Sequence, residues 1–340
     1  MRTDDWYYGY VASAVKAKLA AEGGMGDGTF GADQPLLREQ MVTFTARALL
    51  TIPMEVSGAV KPCETAEATS TPAPEAGAPQ TAEAPDGTAG GRWKTGDKVC
   101  ALLEGGGYAE YAAAHHSMLL PVPKGLALTE AAALPEAFAT AYLNLFIEGG
   151  AKPGQTLLMH AGASGLASVI IPMARAFGLR VITTVLNAGK AAEITHLKAD
   201  IVVDTSKENI VDVLKREAAD GRPLNLAIDC LGSEKVGECF PHVAYGCRWI
   251  MIATLAGDIS PVNLRVMFMK NIRLIGSTLR SKPPEVKAHI LSSLVKEVWP
   301  KVESGEVRPT IYKILPITEA ETAHALLRDG ASAGKIILTL

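Results

Sequence analysis

The chain has 340 residues, a formal net charge of −3 and a hydrophobic fraction of 48%. This length and composition predict a globular protein with room for two domains and a sizeable core. The slightly acidic charge gives no long-range attraction to nucleic acid or to an anionic membrane surface, so neither partner is expected.

The cysteines and the amino terminus bear on the cellular compartment. The five cysteines form neither C-x-x-C pairs nor the clustered spacing of a zinc lobe, which favours free, buried thiols in a reducing compartment. The first residues contain no apolar signal-peptide core, and no later apolar run is long enough to span a membrane. We therefore expect a cytoplasmic protein without a metal site.

Residues 1–50 carry a pattern of helix, glycine-rich loop and helix. The short sequence motifs at residues 6–8, 26–30 and 38–41 resemble one S-layer homology repeat. Repeats of that family anchor proteins to cell-wall polymers. Members of that family normally use three repeats, so this single small helical hairpin is interpreted as a vestigial or fused segment. The alternative is a location at the cell envelope.

Residues 63–91 are rich in Pro, Ala, Glu, Thr and Gly and contain no large apolar residue. Such a segment cannot bury enough surface to offset its conformational entropy, so a disordered loop is predicted. The runs on either side, residues 54–60 and 96–103, are typical of strands. The segment is therefore predicted to be an insertion within one domain.

Residues 105–123 suggest short strands with tight turns, and residues 131–147 form an apolar helical pattern. His115 and His116 are adjacent on a predicted strand, so their side chains are expected to point to opposite faces.

Residues 156–186 carry the clearest chemical signal. An apolar run at 156–159 leads into a turn of small residues, an amphipathic segment that stops at Gly178, and a second apolar run at 180–185. This order of strand, tight turn, helix and strand is typical of the first unit of a dinucleotide-binding domain. His160, at the end of the first run, is predicted to be a strand-end residue and not a base.

The turn keeps one glycine of the G-x-G-x-x-G pattern. Gly162 stands at the first glycine position, whereas Ser164 and Ala167 occupy the second and third. Small residues let a pyrophosphate approach the N–H groups at the helix N-terminus, and a serine can add its own hydroxyl. The alternative is a small-residue turn that merely joins a strand to a helix.

The residues after the second run favour NADPH over NADH. An NAD-binding domain would place Asp or Glu about 20 residues beyond the first glycine, but the chain has Leu186-Asn187-Ala188-Gly189-Lys190. No carboxylate repels a 2′-phosphate here, Asn187 can form a hydrogen bond and Lys190 supplies a positive charge. The alternative is that Lys190 lies on the solvated face of the next helix.

Apolar runs continue to alternate with helical patterns after this unit. The predicted strands are 201–204, 224–229, 248–253 and 272–276, and a helix is predicted at 210–219. This alternation predicts an α/β fold with a doubly wound parallel sheet.

Five motifs then point to a family when they are taken together: residues 56–58, 93–111, 131–136, 276–280 and 334–338. In this order they resemble the zinc-independent quinone oxidoreductases of the medium-chain dehydrogenase/reductase superfamily, with the p53-inducible quinone reductases as the nearest group. The resemblance runs from about residue 52 to the C-terminus and is interrupted by the insertion.

The resemblance implies a division of the chain into four segments. These are the S-layer-like segment (1–50), a partial GroES-like catalytic domain (51–134), a Rossmann NADPH-binding domain (135–275) and a C-terminal return to the catalytic domain (276–340). The family begins with β-structure that forms one wall of the quinone site, and the S-layer-like segment occupies that place. We therefore expect an N-terminally truncated, incomplete β domain with unpaired strand edges.

The resemblance also assigns cofactor contacts. The pyrophosphate is implied to lie on Ser164, Gly165, Leu166 and Ala167 beside Gly162, and the 2′-phosphate on Asn187 and Lys190. The implied contacts of the nicotinamide and its ribose are Thr140, Ala253, Thr254, Leu255, Ser277, Thr278 and Leu279, with Lys335 near the cleft. Thr205 stands where relatives often have a tyrosine beside the 2′-phosphate, which implies weaker NADPH binding.

Reduction of a quinone requires little from protein side chains, because the nicotinamide supplies the hydride and the acceptor oxygens can take protons from water. The predicted function is NADPH-dependent reduction of quinones or related α,β-unsaturated carbonyls, without zinc and without a catalytic side chain. Family members commonly pair through their Rossmann domains, so a homodimer is predicted. The alternatives are an NADPH-binding protein that has lost turnover and an envelope-associated fusion.

Overall fold

The computed structural model describes residues 45–46, 93–94 and 96–340. The predictions for most of the S-layer-like segment, for residues 56–58 and for the insertion at 63–91 fall outside these residues. They stay predictions. Residues 45–46 are described and form a strand, so the helical pattern predicted there is wrong at these two positions.

The strands of the described residues are β1 (Thr45–Ala46), β2 (Val99–Ala101), β3 (Leu119–Pro121), β4 (Thr156–Met159), β5 (Arg180–Val185), β6 (Ile201–Asp204), β7 (Leu224–Asp229), β8 (Val243–Met251), β9 (Arg273–Gly276), β10 (Ile311–Pro316) and β11 (Lys335–Thr339).

The α-helices of the same residues are α1 (Leu128–Ala131), α2 (Pro135–Tyr142), α3 (Ala167–Ala176), α4 (Ala188–Glu193), α5 (Ile210–Ala219), α6 (Lys235–Cys239), α7 (Leu264–Met269), α8 (Pro284–Glu297), α9 (Trp299–Glu303) and α10 (Ala320–Arg328). A π-helical segment, Leu143–Glu148, follows α2 directly. In the part of the chain that the structure describes, no helix combines the length and apolar character needed to cross a bilayer.

Six strands form a central parallel sheet in the order β6-β5-β4-β7-β8-β9. Numbered from β4, this is the order 3-2-1-4-5-6 of a dinucleotide-binding fold. The direction of strand addition reverses between β4 and β7. A crevice therefore opens at the carboxyl ends of these two strands, where such folds bind their ligands.

Helices cover both faces of this sheet. Leu157 and Met159 pack into one hydrophobic cluster with α2, α3 and α8, whereas Leu158 packs into a second cluster with α5 and α6. The central strands β4, β5 and β7 are accordingly buried at nearly every position. The predicted α/β fold with a doubly wound parallel sheet is confirmed.

The predicted bounds of most central elements agree with the structure, but the strand predicted at 248–253 is observed as β8, Val243–Met251. The strands predicted at 156–159, 180–185, 201–204 and 224–229 coincide with β4 to β7, and the predicted helix coincides with α5. Long apolar runs closed by glycine or polar residues carry a strong signal, which explains the agreement.

Two smaller sheets accompany the central one. β11 lies between β1 and β10 and is parallel to both, and β2 pairs with β3 in antiparallel register. β10 and β11 come from the C-terminal segment, which follows the last strand of the central sheet.

The single helix predicted over 131–147 is wrong, because the segment is divided. α1 ends at Ala131, α2 begins at Pro135, and the backbone then continues as a π-helix to Glu148. Proline lacks an N–H and has a helix-compatible φ, so it fits the first position of a new helix.

The strands predicted near the two histidines are also only partly right. Residues 105–111 contain no strand, since three consecutive glycines at 105–107 disfavour one. His116 begins a 3-10 turn, His116–Met118, and its ring lies 4.2 Å from that of His115 between centroids. The prediction that these two side chains point to opposite faces is wrong.

Candidate functional site

The crevice at the switch of strand order is bordered by the segments that leave β4 and β7. The His160 N–H donates to the carbonyl of Ile228 at 3.3 Å, which extends the pairing of β4 with β7 to the rim of the crevice. Beyond this bond, residues 161–166 lead to α3 and residues 230–233 lead to α6. We call residues 161–166 the phosphate turn.

The phosphate turn lies tightly against β5. Ala161 has a left-handed φ of 54°, and the Gly162 N–H donates to the carbonyl of Thr184 at 2.7 Å. A Cβ at Gly162 would lie 2.5 Å from Thr183 Oγ1 and 3.0 Å from Ile194 Cδ1. Only glycine fits so close to Thr183 and Ile194. This close packing explains why Gly162 stands at the predicted first glycine position.

Ser164 organises the start of α3. Its Oγ accepts a hydrogen bond from the Ala167 N–H at 3.1 Å, so its own hydroxyl proton is left to donate. Among hydrogen bonds between described residues, none uses the N–H groups of Gly165 or Leu166. These donors and the positive end of a ten-residue helix make the turn suited to an anion.

A buried polar cluster supports the rim beneath the turn. Asp229, 1% exposed, accepts hydrogen bonds from Trp249 Nε1 at 2.9 Å and from the N–H groups of Leu231 and Gly232 at 2.7 and 3.1 Å. These three donors compensate the burial of the carboxylate. They also fix the course of the chain after β7.

His160 completes this cluster. Its Nδ1 lies 3.0 Å from Thr184 Oγ1. Burial lowers the pKa of His160, and the charge of Asp229 opposes this effect without cancelling it. The imidazole is therefore neutral near pH 7. His160 directly follows β4, and the interpretation that it is a strand-end residue and not a base stays a prediction.

A cavity of about 430 Å³ opens beside the cluster, at the carboxyl ends of β5, β6 and β7. Its volume is in the range typical of small-molecule sites. Its lining includes His160, Thr184, Thr205, Asn209, Leu231 and Trp249. Lys207 also lines it, a cation that the sequence analysis missed although it follows Thr205 by two residues.

The predicted 2′-phosphate contacts lie after β5, in residues 186–190, which we call the discrimination loop. Asn187 Oδ1 accepts a hydrogen bond from the Lys190 N–H at 3.0 Å, so its amide NH2 group is left as a donor. Lys190 Nζ already contacts Glu193 Oε2 at 2.9 Å and the Ala331 carbonyl at 3.4 Å. The structure thus brings the two residues together, but it pairs the lysine with an acid.

The predicted nicotinamide contacts are divided between the segments after β8 and β9. The Leu255 N–H donates to the Cys230 carbonyl at 3.0 Å, which ties the first segment to the crevice rim. The Ser277 N–H donates to the Met251 carbonyl at 2.9 Å. Ser277 Oγ is buried and finds no hydrogen-bond partner among the described residues, so it is free to bond a ligand.

The other residues of these two segments differ in exposure. Thr254, Leu255 and Thr278 are exposed, and Ala253 is half-buried. Leu279 is buried in the core cluster that contains α2 and α3. Its prediction as a wall of the cofactor site is untested, and its packing shows a structural role.

Thr140 and Lys335 are joined by Glu136, which the sequence analysis did not single out. Glu136 Oε1 accepts from Thr140 Oγ1 at 2.9 Å, and its Oε2 lies 3.3 Å from Lys335 Nζ. The Lys335 side chain is only 2% exposed, so Glu136 compensates a buried cation. Glu136 could have been identified from the sequence, because it lies four residues before Thr140 on one helix and such pairs face each other.

The described residues do not fit a zinc ion. No group of three His, Cys, Asp or Glu side chains in this part of the chain has the geometry to hold a metal. Burial raises the pKa of Cys100, Cys239 and Cys247 to about 12, as expected for thiols packed in an apolar core.

Comparison with known proteins shows that the chain is similar to dehydrogenases and quinone oxidoreductases. A family model described as zinc-binding dehydrogenase matches residues 197–338. The chain is 28% identical over 247 residues to the quinone oxidoreductase-like protein 2 homolog of Nematostella vectensis, covering 72% of the chain and 67% of that protein. It is 28% identical over 251 residues to the quinone oxidoreductase of Mus musculus, covering 73% of the chain and 74% of that protein.

A solved structure extends the likeness to the fold. The quinone oxidoreductase of Thermus thermophilus, solved alone and with NADPH, is 30% identical to the chain and superposes with a TM-score of 0.63. The match covers 73% of the chain and 78% of that protein. The fold of the matched part is therefore similar to that of a protein that was also solved with NADPH.

Proposed function

Because the chain belongs to the medium-chain dehydrogenase/reductase superfamily, we propose that it is an NADPH-dependent oxidoreductase that reduces quinones or related α,β-unsaturated carbonyls. The observation that carries this proposal is the phosphate turn, packed on β5 at the point where strand order reverses. Bound NADPH would supply the hydride; the residues of the chain bind and orient it.

The pyrophosphate is proposed to lie at the start of α3. There it would accept hydrogen bonds from the N–H groups of Gly165 and Leu166 and from the hydroxyl of Ser164, with Ala167 as the first residue of the helix. The cavity lined by Thr205 and Trp249 would take the adenosine. Each of these groups is held before the cofactor arrives, which lowers the entropic cost of binding.

Preference for NADPH over NADH is proposed to come from the discrimination loop. The loop contains no carboxylate, and Asn187 presents its amide NH2 group there. Binding would require the Lys190 ammonium to exchange Glu193 for the 2′-phosphate. A dianionic phosphate is a stronger partner than one exposed carboxylate, so this exchange is favourable.

The nicotinamide is proposed to lie along the segments after β8 and β9. Ser277 Oγ would donate to it or to its ribose, and Ala253, Thr254, Leu255 and Thr278 would form its walls. Thr140 gives its proton to Glu136, so its oxygen would accept from a donor such as the carboxamide NH2 group. No side chain is proposed as an acid, because quinone oxygens can be protonated by water.

Independence from zinc is part of the proposal. Its support is that the described residues contain no group of three side chains that could hold a metal ion. Hydride transfer to a quinone also needs no Lewis acid, since the acceptor is already electron-poor.

A homodimer through the central sheet is proposed as well. β9 is the last strand in the order of that sheet, and it is largely exposed. Phe268 and Leu264 on the preceding α7 are each 72% exposed, and Leu274 on β9 is 43% exposed. An open strand edge beside exposed apolar side chains is suited to pairing with a second copy. Light scattering of the Leu274→Lys variant against wild type tests it.

The division into a GroES-like domain and a Rossmann domain, the vestigial S-layer-like segment and the cytoplasmic location stay proposals. Cell fractionation of the full chain tests the location, with recovery in the envelope as the contrary result.

The proposed activity is tested by adding p-benzoquinone and NADPH to purified protein and following the loss of NADPH absorbance. Turnover that depends on both compounds supports the proposal. Tight NADPH binding without turnover of quinones or enones would identify a nucleotide-binding protein instead. Turnover that is lost on chelation of zinc and restored by adding it would contradict the zinc-independent mechanism.

A further inference from the structure

A second cavity, of about 520 Å³, lies away from the proposed cofactor site. It is formed where the last turn of α3, the turn after α4 and the segment before β10 meet. Its polar lining consists of Arg175, His196, Lys198, Glu306, Arg308 and Thr310. None of the residues predicted to hold the cofactor lines it, and the proposed reaction does not use it.

The cavity carries uncompensated positive charge. Arg175 is paired with Asp200 at 2.6 Å, and Glu306 is paired with Lys301 at 3.0 Å. The remaining cations, Lys198 and Arg308, form no ion pair with any described residue. Since the chain as a whole carries a net charge of −3, this local excess is not part of a generally basic surface.

The backbone does not explain the lysine at position 198. Lys198 has φ 58° and ψ 37°, and its N–H donates to the Thr195 carbonyl to close a 3-10 turn. Glycine or asparagine adopts this left-handed conformation at lower cost. The lysine at position 198 is therefore explained by its side chain and not by its backbone conformation, which is strained for a residue with a Cβ.

The two cations line the cavity from different segments of the chain. Lys198 belongs to the wall that follows α4, and Arg308 belongs to the wall that leads into β10. His196 Nε2 lies 3.3 Å from Thr310 Oγ1 and links these walls. Arg308 is positioned against Gly305, where a Cβ would lie 3.5 Å from its Nε.

We propose that this cavity binds a small phosphorylated molecule, with the phosphate between Lys198 and Arg308. Arginine and lysine are the side chains best suited to a phosphate, the first through its fork of donors and the second as a compact charge. The volume leaves room for an organic part, which would lie on Pro172, Ala176, Leu197 and Pro309. This proposal does not depend on the proposed function.

The test is calorimetric titration of the full chain at constant ionic strength, with inorganic phosphate and glycerol phosphate as probes. The protein is first saturated with NADPH so that the nucleotide crevice is blocked; if NADPH does not bind, the free protein is used. Both probes are expected to bind, glycerol phosphate more tightly. Lys198→Gly and Arg308→Gln are each expected to weaken binding about tenfold.

The variants separate charge from folding. Lys198→Gly removes the charge and suits the left-handed backbone, so its melting temperature is expected to equal or exceed that of wild type. Lys152→Ala removes an exposed lysine that lines neither cavity and should bind both probes as wild type does. Absence of binding to the wild type, or binding that both cavity variants leave unchanged, would overturn the proposal.

Discussion

The phosphate turn and the discrimination loop leave neighbouring strands at the same edge of the sheet, but they differ in how they are built. The turn is closed: Gly162 is buried against Thr183, and Asp229 and His160 fill the space beneath the rim. The loop is open: Asn187 is exposed, and the Lys190 ammonium has an exchangeable partner in Glu193. In the proposed binding mode, affinity for any dinucleotide would depend on packing, whereas preference for NADPH would depend on surface charge.

The largest expected effect comes from opening the closed turn with Gly162→Ala. A Cβ 2.5 Å from Thr183 Oγ1 must displace the turn, so the affinity for NADPH should fall by at least ~100-fold, or ~2.7 kcal/mol. Calorimetric titration measures this. In the double variant, Thr183→Ala removes the Oγ1 and Cγ2 atoms with which the new Cβ collides, and it should restore part of the affinity. Wild-type affinity in the single variant would show that the turn does not hold the pyrophosphate.

The next effect concerns stability. Asp229→Asn replaces a carboxylate that accepts three hydrogen bonds with a group that cannot satisfy all three donors. The free energy of unfolding should fall by about 3 kcal/mol. Urea unfolding measures it, with Asp329→Asn, on an exposed residue, as the control. A change below about 0.5 kcal/mol would mean that the buried cluster does not support the rim.

In the open loop a substitution should change preference and leave the fold intact. Lys190→Gln is expected to weaken NADPH binding about tenfold and to leave NADH binding unchanged. Glu193→Gln releases the lysine and should tighten NADPH binding about twofold to threefold, as expected for a partly exposed ion pair. Equal effects of Lys190→Gln on both cofactors would place the 2′-phosphate elsewhere, with Lys207 as the next candidate.

The smallest effect is a pH dependence from His160. Burial lowers the pKa of His160, so below about pH 6.5 the unfolded chain binds a proton that the folded chain does not. Stability therefore falls as the pH drops through this range. Burial also lowers the pKa of His242 and His324, so the test is the difference between wild type and His160→Gln. The variant should lose less stability between pH 7.5 and pH 5.5, and parallel curves would contradict this assignment.

The strand, turn and helix around Gly162 could be predicted from the sequence, because they are formed by contacts between residues that are close together along the chain. The strand 156–159, the turn at Gly162 and the helix after it are neighbours along the chain, so their pattern records their structure. The course of the chain near Pro135 was predicted less well, because the helix restarts there within one apolar run. Residues 105–111 were misread because Tyr108 and Tyr111 favour a strand, whereas the three glycines before them disfavour one.

Contacts between distant residues could not be predicted in the same way. Glu136 and Lys335 are separated by 199 positions, and no local pattern pairs them. The pairing of Lys190 with Glu193 was within reach, since the two residues are three positions apart on a short helix. The second cavity draws its cations from three separate segments, so its charge becomes visible only in the folded chain.

The central claim is that NADPH binds across the carboxyl ends of β4 and β7. Titration of the purified chain with NADPH and with NADH, followed by protein fluorescence and by melting temperature, tests it most directly. We predict saturable binding of both, tighter for NADPH, and a rise in melting temperature that Gly162→Ala abolishes. If neither cofactor changes the fluorescence or the melting temperature, the account is contradicted.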